Sequence, residues 1–432
     1  MAVRSESVEL VSATAVKRLL AGRDEIAFLD VREHGQYGEG HPFLAVPVPY
    51  SRLELRVPSL LPRRDVPIVL LDSGDGVAAH AARRLAGLGY TDVRAVDGGA
   101  PGWRKAGFTL FRGVNVPSKT LGELVEERFH TPRLSAEQLR ARKAAGEPIA
   151  QLDGRPVTEY RRMTIPGARC CPNAELGHRL PAMVSDASTP VVVNCAGRTR
   201  SIIGAQSLIN LGVRNPVYAL ENGTQGWMLA GLELERDADR FYPDALTATA
   251  LEESRERARE LRRRFKVPQI DGATFREWAA DDCRTLYCFD VRTAEEYDAG
   301  HLASALHAPG GQLVQATDQW VAVRGARIVL VDDTGLRAAS TAVWLRAMGH
   351  DATVLDPQAA ATSPQADRMD QPVGGGTETL PECSPRELKR MLESGSVQLA
   401  DLNPSMSFRR SHVKGARWSI RPLLHELSLI HI

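Results

Sequence analysis

The chain carries one arrangement of residues several times at fixed distances, and this repetition constrains its fold more than any other feature. Three apolar segments end in an aspartate. Each aspartate is followed 42 residues later by the end of a second apolar segment, and a glycine comes 17 residues after that. The aspartates are Asp30, Asp153 and Asp290, the later segment ends are Asp72, Cys195 and Asp332, and the glycines are Gly89, Gly212 and Gly349. Offsets that recur within one chain indicate tandem copies of one structural unit.

A fourth copy of the unit begins near the end of the chain, where an apolar segment leads into Asp401. Eleven residues after the four aspartates, at the start of a short turn-like stretch, stand His41, Thr164, His301 and His412. For a chain of 432 residues, this spacing matches the common domain size of ~100–150 residues. Because short apolar strands alternate with helical patterns, we expect α/β domains, each a mainly parallel sheet flanked by helices.

The second copy has a cysteine, Cys195, where the first and third copies have aspartate. Cys195 follows the apolar run 191–193 and shares its loop with Arg198 and Arg200, and a helical pattern begins at Ile202. Backbone N–H groups at a helix start attract negative charge, so a thiol placed there should have a lowered pKa and react as the thiolate. The arrangement favours reactive chemistry over an inert buried side chain.

Short motifs in the repeats resemble those of the rhodanese family. They include Asp-Val-Arg with a later Gly-His, an Ile-Pro-Gly-Ala turn, and a glycine-containing turn followed by Trp and Ala-Gly. These motifs lie at 30–32 with 40–41, at 290–292 with 300–301, at 165–168, at 98–107 and at 222–231. The resemblance extends over nearly the whole chain apart from the linkers. The departures are Thr164, where the other copies have histidine, and a third copy without a clear Gly-Trp ending.

The resemblance implies a sulfurtransferase that works through a persulfide on Cys195. The thiolate would attack the outer sulfur of thiosulfate or of a related persulfide or polysulfide donor, and sulfite or a thiol would leave. A second nucleophile, cyanide in assays or a cellular thiol, would then take the sulfur in a two-step covalent mechanism. The partners implied are a small-molecule sulfur donor and a thiol acceptor, with a protein as a further kind of sulfur acceptor. No metal or organic cofactor is required.

The resemblance also assigns roles to the loop after Cys195. Backbone N–H groups would form an anion nest around the sulfur, and they belong to Ala196, Gly197, Arg198, Thr199, Arg200 and Ser201. Arg198 and Arg200 would hold an anionic donor by charge-assisted hydrogen bonds, and which of them points inward stays open. Thr199 and Ser201 would add hydroxyl donors. Two arginines favour thiosulfate or a persulfide over mercaptopyruvate as the donor.

The first and third repeats are expected to be catalytically silent, because a carboxylate cannot accept a sulfane sulfur as a thiolate does. Their loops, 72–76 and 332–337, are rich in aspartate and would repel thiosulfate. These repeats would scaffold, contact a partner or cover the active cleft.

The repeat spacing and the composition between repeats predict seven segments. They are a rhodanese-like domain at 1–112, a linker at 113–130, the domain with Cys195 at 131–240, a helical linker at 241–266, a rhodanese-like domain at 267–358, a flexible linker at 359–379 and the N-terminal part of a truncated fourth domain at 380–432. Opposite charges interleave at helical spacing in 252–264, which favours a solvent-exposed helix over a basic nucleic-acid-binding helix.

The last six residues, 427–432, break the pattern of the fourth repeat. They match the translation of CTG TCT CTT ATA CAC ATC, a transposon adaptor used in sequencing libraries. We therefore expect the natural protein to continue and to complete its fourth domain.

Several tempting residues have simpler structural interpretations. The four repeated aspartates recur in copies without a nucleophile, so they are expected to stabilise the strand ends. We expect core packing for Cys170, Cys171, Cys288, Trp103 and Trp227.

Composition excludes several function classes. The net charge is +1, so neither a nucleic-acid partner nor a membrane surface is implied. No run of ~18 apolar residues is present, and the first residues lack a signal-peptide pattern. The six cysteines are scattered and form no Cys-x-x-Cys pair. A reducing cytoplasm is the expected location.

Two alternatives to a sulfurtransferase come from other classes. One is a non-catalytic binding, regulatory or sulfur-relay module, in which Cys195 senses redox state or passes sulfur on. The other is a cysteine phosphatase or arsenate reductase. The phosphatase loop requires arginine six residues after the cysteine, and Ser201 stands there, which disfavours it.

Overall fold

A computed structural model of the chain describes residues 8–360 and 381–424. The described residues divide into two compact units. Unit 1 contains residues 8–114, 322–324 and 381–424, and unit 2 contains residues 115–321 and 325–360. The first and fourth repeats thus lie in unit 1, and the second repeat and the third repeat apart from 322–324 lie in unit 2.

The helices and strands follow the repeats in chain order. The first repeat contains β1 (Glu9–Val11), α1 (Ala13–Ala21), β2 (Ile26–Asp30), α2 (His34–Glu39), β3 (Val46–Pro47), α3 (Leu53–Leu60), β4 (Ile68–Leu71), α4 (Val77–Gly87), β5 (Val93–Val96) and α5 (Gly99–Lys105). The second contains α6 (Val116–Phe129), β6 (Arg133–Leu134), α7 (Ala136–Ala144), β7 (Ala150–Asp153), α8 (Val157–Arg162), β8 (Arg169–Cys170), α9 (Leu176–Met183), β9 (Val191–Asn194), α10 (Thr199–Asn210), β10 (Val217–Leu220) and α11 (Gly223–Leu229).

The remaining elements belong to the connecting helix and the last two repeats. The connecting helix is α12 (Ala248–Phe265). The third repeat contains β11 (Gln269–Ile270), α13 (Gly272–Ala279), β12 (Leu286–Asp290), α14 (Ala294–Ala299), β13 (Leu306–His307), α15 (Gly310–Gln315), β14 (Val323–Arg324), β15 (Arg327–Val331), α16 (Leu336–Ala347), β16 (Asp351–Leu355) and α17 (Pro357–Ala360). The fourth contains α18 (Pro385–Glu393), β17 (Ala400–Asp401), α19 (Ser405–Arg410) and β18 (Arg417–Trp418).

The first three repeats share one sheet topology. Their strand orders are β1-β5-β4-β2-β3, β6-β10-β9-β7-β8 and β11-β16-β15-β12-β13, and every pair within these orders is parallel. In unit 1, β14 adds an antiparallel pairing to β2. The middle strands β4 and β9 are buried along their whole length, as expected for central strands covered by helices on both faces. The predicted α/β architecture of tandem domains is confirmed.

The repeated aspartates stabilise the ends of their strands. Asp153 is fully buried and accepts two hydrogen bonds from the Arg155 guanidinium, at 2.9 and 2.7 Å. The same arginine donates to the Met163 carbonyl in the following turn at 2.6 Å, and the Thr164 hydroxyl donates to Asp153 at 2.7 Å. Equivalent aspartate–arginine pairs lie at the ends of β2 in the first repeat and β12 in the third repeat. The structural role predicted for these aspartates agrees with this arrangement.

Two of the three predicted linkers have more structure than their composition indicated. The segment predicted as a linker at 113–130 contains α6, whose Leu121 and Val125 are buried. The solvent-exposed helix predicted between the second and third repeats is present as α12, and most of its residues are exposed, but one face is buried. Ala258 and Leu261 are buried because one face of α12 packs on α9 and α16. Most of the predicted flexible linker at 359–379, and the chain end at 427–432, lie outside the described residues.

The residues expected in the core are found there. The Cys170, Cys171 and Cys288 side chains are buried, and burial, the largest cause, raises the pKa of the Cys170 thiol to about 12. The indole rings of Trp103 and Trp227 are buried, and each donates a hydrogen bond to a backbone carbonyl six residues later. Within residues 8–360 and 381–424, none of the helices combines the length and the apolar composition needed to span a bilayer.

Candidate active site

Cys195 lies at the carboxyl end of β9, the strand that β7 and β10 flank in the second repeat. Only 2% of the residue is exposed. The loop 195–198 leads directly into α10, which begins at Thr199. A buried strand in the middle of a parallel sheet therefore delivers the thiol to the edge where such sheets bind ligands, next to a helix N-terminus.

The backbone of the loop is held in place by the start of α11. The N–H of Thr224 donates to the Cys195 carbonyl at 2.8 Å, and the N–H of Gln225 donates to the Ala196 carbonyl at 3.0 Å. Gly223 permits this approach, because its φ is +51° and a Cβ there would lie 2.1 Å from the Cys195 carbonyl oxygen. The loop backbone is thus fixed before any substrate binds.

Ser201 directly contacts the Cys195 sulfur. Its hydroxyl lies 3.1 Å from Sγ and donates a hydrogen bond to it, and the Ser201 side chain is fully buried in the first turn of α10. A donor aimed at the sulfur stabilises negative charge on it. Of the two hydroxyls predicted to serve as donors, that of Ser201 contacts the sulfur directly.

Arg200 forms a bidentate ion pair with Glu159 of α8. Both N–O distances are 2.7 Å, and 13% of the Arg200 side chain is exposed. Burial lowers the pKa of the Arg200 guanidinium, but Glu159 and then Cys195 raise it above its ordinary value. Burial raises the pKa of Glu159, but the pair with Arg200 lowers it by more, so the pKa of this carboxyl lies below its ordinary value. Glu159 therefore holds the guanidinium of Arg200 through two hydrogen bonds, in the first turn of the helix that follows the Cys195 loop.

Arg198 lies closer to the surface, with 43% of its side chain exposed. It forms ion pairs with Glu126 and, at 3.0 Å, with Glu123, both on α6. This helix packs tightly on the start of α10, since a Cβ at Gly122 would lie 2.9 Å from the Thr199 methyl carbon. An exposed pair of this kind contributes little stability and separates easily.

Sequence reasoning missed several residues that shape this site. Arg155 is buried beside the site; burial lowers the pKa of its guanidinium, but the pair with Asp153 raises it above its ordinary value. Asn173 donates from Nδ2 to the Arg200 carbonyl at 2.9 Å. A repeat offset could have revealed Glu159, because it stands six residues after Asp153 just as Glu296 stands six residues after Asp290. Nothing in the spacing pointed to Asn173.

In the first repeat, Asp72 fills the position of Cys195 with its own carboxylate. The carboxylate accepts hydrogen bonds from the N–H groups of Gly74, at 2.8 Å, and Ala78, at 3.0 Å. These donors stand two and six residues after Asp72, and the corresponding residues after Cys195 are Gly197 and Ser201. The N–H groups of such a loop can therefore surround an anion at this position, as the predicted nest requires.

In the third repeat, Asp332 also accepts hydrogen bonds from its own loop. The Arg337 N–H donates to its carboxylate at 3.1 Å, and the Thr334 hydroxyl donates at 3.3 Å. The Arg337 side chain is completely buried and its guanidinium pairs with Asp333 at 2.6 Å. The negative charge expected of this loop is thus balanced by an arginine of the same loop.

Comparisons with known proteins agree with the repeat structure. The family described as "Rhodanese-like domain" matches residues 12–106, 135–230 and 274–357. The crystal structure of thiosulfate sulfurtransferase from Pseudomonas aeruginosa has 43% sequence identity and a TM-score of 0.83, over 97% of this chain and 80% of that chain. The HTH-type transcriptional regulator Rv0324 of Mycobacterium tuberculosis is 36% identical over 109 residues. That match covers 25% of this chain and 46% of the regulator.

Proposed function

The chain belongs to the rhodanese family, and on that premise we propose that it is a sulfurtransferase that works through a persulfide on Cys195. The placement of the Cys195 sulfur supports this most directly, because the sulfur lies at a helix start, 3.1 Å from the buried Ser201 hydroxyl. The similar protein from Pseudomonas aeruginosa is a thiosulfate sulfurtransferase. Thiosulfate, or a persulfide or polysulfide of similar chemistry, is accordingly the proposed donor.

The proposed reaction has two displacement steps. The Cys195 thiolate attacks the outer sulfur of thiosulfate, a new S–S bond forms, and the old S–S bond breaks as sulfite leaves with the electron pair. The thiolate of an acceptor then attacks the outer sulfur of the persulfide. A new persulfide or, with cyanide, thiocyanate is released, and Cys195 regains its thiolate. The acceptor is a small thiol, and a protein thiol fits the same chemistry.

The protein contributes positioning and charge to both steps. The Ser201 hydroxyl and the loop N–H groups stabilise the negative charge on the sulfur before attack and on the persulfide afterwards. Arg200 lies deeper than Arg198, with 13% against 43% of the side chain exposed, so we assign to Arg200 the larger part in holding an anionic donor. Because Glu159 occupies two N–H groups of Arg200, the donor would use its remaining donors or displace Glu159.

Mass spectrometry of the intact chain tests this function. After incubation with thiosulfate, the Cys195 peptide should gain about 32 Da, one sulfur atom, and lose it when cyanide or a thiol is added. The peptides that carry exposed Cys283 and Cys383 serve as internal controls and should stay unmodified under the same conditions. If no sulfane donor yields both the adduct and turnover, the chain is the binding, regulatory or relay module instead.

A further inference from the structure

A buried cluster of charges joins the second and third repeats inside unit 2. Arg337 of α16 is fully buried, and its Nη1 lies 3.1 and 3.2 Å from the two carboxylate oxygens of Glu175 in the second repeat. Glu175 also accepts from Arg179 at 2.9 Å, and Arg179 donates to Glu296 of the third repeat at 2.6 Å. Two carboxylates and two guanidiniums therefore alternate across the contact.

Arg337 corresponds to Arg200 of the active loop, since each stands five residues after the catalytic position of its repeat. Each guanidinium binds a glutamate that stands six residues after the repeated aspartate of its repeat, namely Glu296 on α14 or Glu159 on α8. Arg337 additionally holds Glu175, a carboxylate from the neighbouring repeat. The Arg337 guanidinium is thus bound by a carboxylate of this chain from the neighbouring repeat, whereas the Arg200 guanidinium is partly exposed to solvent.

Asn173, two residues before Glu175, connects the same segment to the active loop. Its side chain is buried, its N–H donates to the Gly154 carbonyl at 3.1 Å, and its Nδ2 donates to the Arg200 carbonyl at 2.9 Å. Among the described residues, Oδ1 of Asn173 has no hydrogen-bond partner. One hydrogen bond therefore orients this amide, so its direction depends on where the backbone of 173–175 is held.

We propose that Glu175 and Arg337 are positioning residues for the sulfur-transfer site. The ion pair of Arg337 with Glu175 keeps the backbone of 173–175 in place. Asn173 can then donate its hydrogen bond to the Arg200 carbonyl and hold the first turn of α10. That turn carries both Arg200 and the Ser201 hydroxyl that contacts the Cys195 sulfur. The third repeat is then a part of the catalytic apparatus that contributes no group to the reaction itself. This inference rests on the proposed function of Cys195.

Two variants of the intact chain interrupt the connection at different points. Glu175→Gln keeps the size of the side chain but removes the charge that Arg337 holds, and Asn173→Ala removes the hydrogen bond to Arg200 while leaving the charge cluster intact. Trp344→Phe is the matched control. It deletes a 2.8 Å hydrogen bond from Trp344 to Ser207 across the same repeat contact, and it leaves the hydrogen bonds of Asn173 and Glu175 in place.

Two rates are measured for each variant, namely turnover of thiosulfate and alkylation of Cys195 by iodoacetamide, read on the Cys195 peptide. Displacement of catalytic groups by about 1 Å costs up to roughly 100-fold in rate, so we expect kcat to fall roughly 10-fold in Glu175→Gln and in Asn173→Ala. KM should change less than kcat, and alkylation should slow in both variants. Glu175→Asp should restore part of the lost rate.

The double variant Glu175→Gln with Asn173→Ala separates a shared path from two independent effects. If both residues act through one connection, the double variant is no slower than the slower single variant. The proposal is overturned if the two losses multiply, or if Trp344→Phe lowers both rates as much as Glu175→Gln does. Should Glu175→Gln fail to fold, Asn173→Ala alone must still lower kcat and slow alkylation.

The alkylation rate also separates this proposal from the proposed function, because alkylation of Cys195 does not require sulfur transfer. A chain that forms no persulfide would refute the proposed function, and the alkylation rates of the variants would still test the role of Glu175 and Asn173.

Discussion

The loop after β9 and the loop after β15 occupy the same place in their repeats, but one begins with a cysteine thiol and the other with an aspartate carboxylate. In the second repeat the position belongs to Cys195, with a hydroxyl donor on its sulfur. In the third repeat it belongs to Asp332, whose carboxylate accepts hydrogen bonds from its own loop. Both loops are followed by an arginine paired with a glutamate, Arg200 and Arg337 respectively. The same scaffold therefore carries a cysteine thiol with a hydroxyl donor in one repeat and, in the other, a carboxylate that accepts hydrogen bonds from its own loop.

The two loops also differ in whether their arginine is accessible to an anion from solvent. Arg337 is completely buried among carboxylates, one of which comes from the neighbouring repeat, whereas 13% of the Arg200 side chain is exposed. In the first repeat, Val77 stands where the other two repeats have the arginine, and Asp72 takes up the loop N–H groups by itself. A repeat can thus lose its anion site in two ways: the arginine is replaced, as at Val77, or the arginine is paired with carboxylates of the same chain, as at Arg337.

The largest expected effect comes from removing the nucleophile that distinguishes the two loops. Cys195→Ser should lower sulfur transfer by roughly 10³-fold or more, because an alcohol does not form a persulfide. The change is nearly isosteric and lies in a loop, so thermal unfolding should stay close to that of the parent chain. The check is thiocyanate formation from thiosulfate and cyanide. Appreciable turnover by this variant would assign the chemistry to another residue.

The second effect concerns the two arginines of the active loop, tested one at a time. Arg200→Ala should weaken the use of thiosulfate by roughly 10- to 100-fold, as expected for the loss of charged hydrogen bonds worth about 1.5–3 kcal/mol. Arg198→Ala is the matched control and should have a smaller effect, because Arg198 is exposed and paired with α6. The kcat/KM values for thiosulfate and for an uncharged sulfane donor are compared. Equal losses for both donors would mean that Arg200 serves structure instead.

The sequence revealed the scaffold better than it revealed the contacts between repeats. Offsets of 42 and 17 residues located the ends of β2, β7 and β12, the loop positions of Asp72, Cys195 and Asp332, and the glycines that follow the next helix, because these features depend on local backbone geometry. The ion pair of Arg337 with Glu175 joins residues 162 positions apart in different repeats. Such a pair depends on how two repeats pack, and a spacing within one repeat carries no information about that. For the same reason the buried face of α12 was missed.

The third effect concerns the pH dependence of stability in the silent loop. Burial raises the pKa of Asp332 to about 6, and Arg337 lowers it less than burial raises it. The folded chain therefore binds more protons than the unfolded chain between pH ~4 and ~6, so Asp332 costs stability as the pH rises through this range. Asp332→Asn removes that cost. Its unfolding free energy relative to the parent should increase by about 1–3 kcal/mol from pH 4 to 7. Urea unfolding at both pH values measures this, and a pH-independent difference would contradict it.

The smallest effect is expected from giving the third repeat a nucleophile of its own. Asp332→Cys in a Cys195→Ser background should yield no persulfide, because the Arg337 guanidinium stays bound to Glu175 and Glu296 and the adjacent Asp333 opposes a thiolate and an anionic donor. Asp72→Cys in the same background is the parallel case. Its loop keeps Asp75 and has no arginine, so it too should stay inactive. Mass spectrometry of the new cysteine peptide after thiosulfate treatment decides both. A gain of one sulfur at Asp332→Cys would mean that the cysteine alone separates an active repeat from a silent one, and that the occupancy of Arg337 is irrelevant.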